Sequence, residues 1–313
     1  MSEPIIRVTG LAKRFGSVAA LSDVSFDIMQ GQVVGFIGAN GAGKTTTMRI
    51  LATLETAGRG LAKVCGYDCR LQPTEVRRRL GWMPDDYGSY KNTTVLEYLD
   101  FFARAYGYAG QERSKRVKNV VDFTDLGPLM DRPMTGLSKG QAQRLCLGRT
   151  LLHDPKVLIL DEPAAGLDPK ARIEFKNLVR ILSKQGKTLL ISSHILSELS
   201  EMCDHMIFID NGRIIRTGTA ESLHSEEEAE VADFEVRLAD RSQEALAFLQ
   251  QKFPDAQQRE TLKDGFIMRM PAMPNEEQAE VLAHMVEHGF PLFSFYRKQR
   301  KLEDVFVDML QKK

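Results

Sequence analysis

The segment Gly38–Thr45, GANGAGKT, constrains this chain more than any other. It fits the pattern G-x-x-x-x-G-K-[ST] and stands between a continuous apolar run, QVVGFIG (Gln32–Gly38), and a stretch of helical character over 41–55. A strand buried on both faces, a glycine-rich turn and a helix N-terminus, in that order, make a phosphate cradle. The glycines let the backbone wrap closely with its N–H groups turned toward phosphate oxygens, and the helix dipole adds a positive pole. In such a loop Gly38, Asn40, Gly41, Ala42 and Gly43 supply the wrapping backbone. Lys44 reaches the β- and γ-phosphates, Thr45 ligates Mg²⁺, and Thr46 donates to a phosphate.

A second buried run, VLILDE (Val157–Glu162), ends in two acids. Asp161, at the strand's end, is placed to hold Mg²⁺ through its water shell, and Glu162 to polarise an attacking water. A carboxylate directly after the metal acid suits hydrolysis rather than transfer to a second substrate, which argues against a kinase. A GTPase is poorly supported too: Asp85–Gly88 matches only the weak pattern D-x-x-G, and no N-K-x-D is present. The run KTLLISS (Lys187–Ser193) follows a helical stretch, Ala171–Lys184, with Ile173, Leu178, Ile181 and Leu182 at helical spacing. Strand, helix, strand predicts a parallel α/β core.

The remaining texture sets the architecture. Pro4–Gly10 and Val24–Ile28 read as strands, and His205–Gly218 carries an Asn-Gly turn between apolar runs, a hairpin signal. From about 84 to 154 the pattern is helix after helix. The fold class expected is therefore α/β: a P-loop NTPase core over residues 1–218 with an antiparallel β subdomain and an inserted helical subdomain. An acidic run, SEEEAE (Ser225–Glu230), marks a linker over 219–230. Residues 231–313 read as a small α+β domain: strand Phe234–Leu238, helix Gln243–Phe253, two strands ending near Met270, helix Asn275–His288, strand Leu292–Tyr296, helix Leu302–Leu310. Asn275 with Gln278 resembles a capping box, and the order suggests a βαββαβ sandwich.

Composition adds exclusions. Lys+Arg and Asp+Glu both number 42, so there is no basic footprint for nucleic acid or anionic lipid. No apolar run reaches the roughly 18 residues that span a bilayer, and MSEPIIRVTG lacks a signal pattern. Cys65, Cys69, Cys146 and Cys203 have no paired spacing and read as free thiols.

One segment is left over. GLSKGQAQRLCLGR (Gly136–Arg149) places a Ser-x-Gly at the mouth of a helix, a second anion-binding arrangement in a chain that already has one. LSKGQ (Leu137–Gln141) resembles the signature segment L-S-G-G-Q of the ATP-binding cassette family. The resemblance covers residues 1 to about 218, and it implies that the signature of one subunit closes over the ATP held by another's phosphate loop. Ser138 and Gly140 would then touch the γ-phosphate of a neighbour, and Gln141 would lie near its ribose and phosphates.

Other residues resemble the family pattern in order. Phe15 resembles the aromatic that stacks on adenine, and a core phenylalanine is the competing reading. Asp168, in Gly166–Asp168 (GLD), resembles the loop that crosses the dimer interface; before Pro169 it is equally a helix N-cap. His194 resembles the switch histidine that contacts the γ-phosphate.

The family thus implies ATP and Mg²⁺ as ligands. It implies a second copy or a homologous cassette subunit as one partner and an integral membrane permease as another, and a place at the cytoplasmic face of the membrane. The segment from about Asp85 to Leu126, with Tyr87, Tyr90, Phe101 and Phe102, would hold the permease, unless those aromatics serve core packing. KLEDVFVDML (Lys301–Leu310) resembles the tail of bacterial subunits that work with exporter permeases. Two residues depart from the pattern. Asp85 stands where the family carries glutamine, which makes it a third metal-ligand candidate, and Lys139 replaces the first signature glycine. A soluble cassette ATPase acting on a ribosome or on DNA is the alternative, and a nucleotide sensor without turnover is a third.

Overall fold

The computed structural model describes residues 3–86, 88, 90–200, 202–219, 222 and 231–298, and the chain divides into two compact units after Thr219. Tyr87, the acidic run Ser225–Glu230 and the helix expected over Leu302–Leu310 lie outside the described residues.

The first unit opens with β1 (Ile6–Phe15), β2 (Val18–Ile28) and β3 (Val33–Ile37), then α1 (Lys44–Leu51). Next come β4 (Arg59–Val64), β5 (Tyr67–Asp68), the short α2 (Pro73–Arg77) and β6 (Leu80–Met83). The helices α3 (Val95–Ala105), α4 (Gly110–Phe123) and α5 (Lys139–Leu151) lead into β7 (Val157–Leu160). After them follow α6 (Pro169–Lys184), β8 (Thr188–Ser193), α7 (Leu196–Ser200), β9 (His205–Asp210) and β10 (Arg213–Thr219).

All ten strands join in one sheet of order β5-β4-β1-β2-β10-β9-β3-β8-β7-β6. Its β9-β3-β8-β7-β6 half is parallel. The residues of β3, β7 and β8 are buried throughout, as strands covered on both faces must be. The other half, β5-β4-β1-β2, is antiparallel. The turn between β9 and β10 holds Asn211 and Gly212 at φ 47° and 71°, so both central residues are left-handed, as a tight hairpin requires.

Helix α1 is shorter than the stretch 41–55 expected of it. Gly41 and Gly43 sit at φ 82° and 111°, outside helical space, and Thr53 at φ 60° ends the helix. Helices α3 to α5 enclose their own core, built on Val95, Tyr98, Leu99, Val117, Val121 and Leu145. Helix α3 starts on a closed capping box between Thr94 and Glu97.

The second unit contains β11 (Val231–Leu238), α8 (Ser242–Lys252), β12 (Gln257–Leu262), β13 (Gly265–Pro271), α9 (Asn275–Glu287) and β14 (Leu292–Arg297). This is a βαββαβ chain with an antiparallel sheet of order β12-β13-β11-β14. Phe234, Val236, Phe266 and Met268 on the sheet pack with Leu249, Val281 and Met285 from the helices. The expected Asn275–Gln278 capping box does not form. Pro274 takes the N-cap position, and the Gln278 amide donates to the Met273 carbonyl at 2.9 Å instead.

Candidate functional site

The loop between β3 and α1 is fixed by glycines. A Cβ on Gly38 would lie 2.4 Å from the Ile209 carbonyl oxygen, and one on Gly43 would lie 2.7 Å from Leu21 Cδ2 and 2.9 Å from the Ala20 oxygen. The chain therefore passes between β9 and β2 only as glycine at these two positions. Gly43 caps α1 without any side-chain hydrogen bond, so the first-turn N–H groups of this helix are not covered by a cap of the chain's own. Lys44 is only 5% exposed. Its ammonium donates to the Gly38 and Ala39 carbonyls at 2.7 and 3.3 Å and lies 3.4 Å from Glu162 Oε1.

Asp161 and Glu162 leave the end of β7 in different environments. Asp161 is 2% exposed and accepts from the Ser192 hydroxyl at 2.6 Å and from the Thr45 hydroxyl. Burial raises its pKa above the usual carboxylate value; the two hydroxyls pull it back, and the negative charges of Glu162 and Asp85 push it up again. Glu162 turns sharply, at φ 48°. Its amide donates to Ser192 Oγ at 2.8 Å, and its second carboxylate oxygen lies 2.9 Å from His194 Nδ1. Glu162 thus sits between Lys44 and His194.

These groups test the fit of a divalent cation. Thr45 and Asp161 offer an all-oxygen donor set, as hard cations prefer, and positive charge there would relieve the acids crowded around Asp161. Among the described residues no group of three or more His, Cys, Asp or Glu side chains forms a closed metal site. A cation here would complete its shell with water and phosphate oxygens, which is the habit of Mg²⁺. The residues fit. Asp85 is exposed, and its charge reaches Asp161.

The other sequence candidates are placed as follows. Phe15 ends β1 with 48% of its surface exposed, so it is not a core residue, and the Lys13 ammonium lies 5.0 Å from its ring centroid. Ser138 is the N-cap of α5 and forms a closed capping box: its Oγ accepts from the Gln141 amide at 3.3 Å, and its own amide donates to Gln141 Oε1 at 2.9 Å. Gly140 lets α5 approach α6, since a Cβ there would meet Ala171 Cβ at 2.7 Å. Asp168 caps α6, accepting from the Ala171 amide at 2.9 Å. Among the described residues, Ser138 and Gln141 make no side-chain hydrogen bond to Gly38–Thr45. Of the aromatics, Phe101 and Tyr90 are on the surface and Phe102 packs partly on the helical core. The cysteines are unpaired, and burial pushes Cys69 up to about 12 and Cys146 up to about 11, so neither is a ready thiolate.

Sequence reasoning missed Ser192. It sets both acids at once, donating to Asp161 and accepting from Glu162. Its signal was available in Ser192-Ser193-His194, two hydroxyls at the exit of a buried strand beside the histidine. Lys13 behind Phe15 was missed as well.

A glycine-walled phosphate loop with a buried lysine, followed across the sheet by a buried aspartate and a glutamate, defines a P-loop ATPase. Residues 21–165 match the family model described as ABC transporter. The chain is 37% identical over 226 residues to the Nod factor export ATP-binding protein I of Ralstonia nicotianae, covering 72% of this chain and 70% of that one. It is 32% identical over 307 residues to the bacitracin transport ATP-binding protein BcrA of Bacillus licheniformis, covering 98% and 97%. Among solved structures, CbiO1 from Clostridium perfringens, part of the ABC transporter complex cbiONQ, superposes with a TM-score of 0.66 at 28% identity, covering 72% and 92%. The chain belongs to the ABC transporter family. It is an ATP-binding subunit of that family, with ATPase activity.

Proposed function

We propose that this chain drives export through a separate integral membrane permease, acting at the cytoplasmic face of the membrane as a pair of cassettes that closes over ATP. Export is supported by the names of the relatives, and hydrolysis as its energy source by the position of Glu162, held between the Lys44 ammonium at 3.4 Å and His194 at 2.9 Å beside the phosphate loop. Adenine stacks on the exposed ring of Phe15. The backbone from Gly38 to Gly43, with Asn40, Gly41 and Ala42, wraps the phosphates, while Lys44 neutralises the β- and γ-phosphates and Thr46 donates to them. Thr45 and Asp161 hold Mg²⁺, with Asp85 as a further ligand; the ion, when bound, withdraws charge from the phosphate oxygens.

Glu162 accepts the proton of the attacking water as its oxygen bonds to the γ-phosphorus, and ADP departs. His194 orients that carboxylate and touches the γ-phosphate. Ser138, Gly140 and Gln141 of the second copy, or of a homologous cassette subunit, close the open side, with Asp168 at the interface. The exposed Tyr90 and Phe101 support a permease contact on the helical subdomain. The names of the relatives, for Nod factor export and bacitracin transport, favour a transporter over an ATPase acting on ribosomes or DNA.

The test is Glu162→Gln. Steady-state phosphate release is expected to fall by about 10²–10⁴-fold while an ATP-bound dimer persists. Unchanged turnover removes Glu162 as the base.

A further inference from the structure

Ser192, the last residue but one of β8, is fully buried. It stands one residue beyond the final β7–β8 pair, Leu160 with Ile191, level with the point at which Asp161 and Glu162 leave β7. Its hydroxyl meets both. It donates to Asp161 Oδ1 at 2.6 Å and accepts from the Glu162 amide at 2.8 Å.

A hydroxyl has one proton and two lone pairs. The Glu162 amide can only donate, so the Ser192 oxygen accepts there and its proton is left for Asp161. The chain from Glu162 N–H through Ser192 O–H to Asp161 Oδ1 therefore runs in one direction. It ties together two groups that a hydrocarbon side chain at 192 would leave apart. Asp161, 2% exposed, is held by this bond and by the one from Thr45 in α1. Glu162 lies in left-handed space at φ 48°, which a residue with a side chain keeps only where its surroundings hold it. From that turn its carboxylate reaches Lys44 and His194.

We propose that Ser192 is a positioning residue for hydrolysis: a single hydroxyl that aims the Asp161 carboxylate and holds the backbone turn presenting Glu162, so that the two acids are set together. It acts through both acids and not on the nucleotide. The inference rests on the proposed duties of Asp161 as metal ligand and Glu162 as base.

The test is a double-mutant cycle on the full chain: the parent, Ser192→Ala, Glu162→Gln and the two combined. Phosphate release is read in a single turnover. ATP affinity is read by calorimetry in the Glu162→Gln background, with Mg²⁺ and with EDTA. Ser192→Ala is expected to slow single turnover by about 10–100-fold. Its ATP affinity in EDTA should stay within about twofold of the background, while the gain that Mg²⁺ brings should shrink by about tenfold. Added to Glu162→Gln, it should slow turnover only about threefold further, because the base it presents is already gone.

Turnover of Ser192→Ala within about threefold of the parent would overturn the proposal, and so would full multiplication of the two losses. An undiminished Mg²⁺ gain overturns the joint setting of the acids. An equal fall in affinity with and without Mg²⁺ marks general loosening of the β7–β8 end and overturns it too. Should the alanine chain not fold, Ser192→Cys, close in shape but weak as donor and acceptor, takes its place with the same expectations. Glu162→Gln separates the two levels. Normal turnover there removes the base and this inference with it, whereas a slow Glu162→Gln beside a normal Ser192→Ala counts against Ser192 alone.

Discussion

Two helix starts in this chain have the look of anion sites, and they differ in how their own residues treat them. At the start of α1 the capping residue is Gly43, which offers no side chain to the exposed N–H groups, and the loop before it is clamped by Ile209, Leu21 and Ala20. At the start of α5, Ser138 and Gln141 satisfy each other in a closed capping box on an exposed surface. The first site is rigid and left open by its own fold. The second is internally satisfied, and Ser138 keeps only its hydroxyl proton for an outside acceptor, because its oxygen and amide are already engaged. A helix N-terminus is thus not a uniform device. One start leaves its first N–H groups uncovered by any capping side chain, and the other covers them with its own Ser138 and Gln141.

The contrast can be broken in order of expected effect. Lys44→Ala removes the buried ammonium that joins the loop carbonyls to Glu162, and hydrolysis measured in single turnover should fall by about 10²–10³-fold. Loss of less than threefold would mean that the loop's charge is supplied elsewhere. Gly140→Ala drives a methyl into Ala171 at the α5–α6 contact, and urea unfolding should show a cost of about 1–3 kcal/mol. An unchanged midpoint would show that the helices separate freely there. Ser138→Ala opens the capping box and should cost about 1 kcal/mol of stability while leaving the ATP affinity of the isolated chain unaltered. A weakened affinity in the isolated chain would bring the two helix starts into one site.

The smallest effect concerns pH. Burial raises the pKa of Asp161 above its ordinary 3.8, so its ionised form burdens the ligand-free fold. That burden is present in full above the raised value and disappears as the pH falls toward 3.8. Asp161→Asn should therefore melt at a higher temperature than the parent near neutral pH without nucleotide, with an advantage that shrinks on acidification. Calorimetry across the acid range reads this directly, and an advantage that grows on acidification contradicts the sign.

The parallel core and the phosphate loop were legible in the sequence because their strands are buried on both faces and read as unbroken apolar runs, as at Val33–Ile37 and Val157–Leu160. The antiparallel half was only partly legible. Arg59–Val64 and Tyr67–Asp68 are held by pairing with β1 and with each other rather than by alternation of their own residues, and β1 runs on through register shifts to Phe15. The site acids could be named, but their geometry could not. The left-handed turn at Glu162 and the double role of Ser192 arise from the packing of β7 beside β8, two segments about thirty residues apart. The state of the Ser138–Gln141 box was likewise invisible, since the same residues serve a plain helix cap and a phosphate contact.

Whether one chain grips ATP from one flank while the α5 start of a second chain covers the other is read most directly from particle mass. The measurement is light scattering of the Glu162→Gln protein with Mg-ATP, with and without Ser138→Arg. The expected result is two chains per particle for Glu162→Gln, and a single nucleotide-loaded chain once Ser138→Arg is added. A nucleotide-loaded single chain in both cases, or a two-chain particle that survives Ser138→Arg, contradicts it.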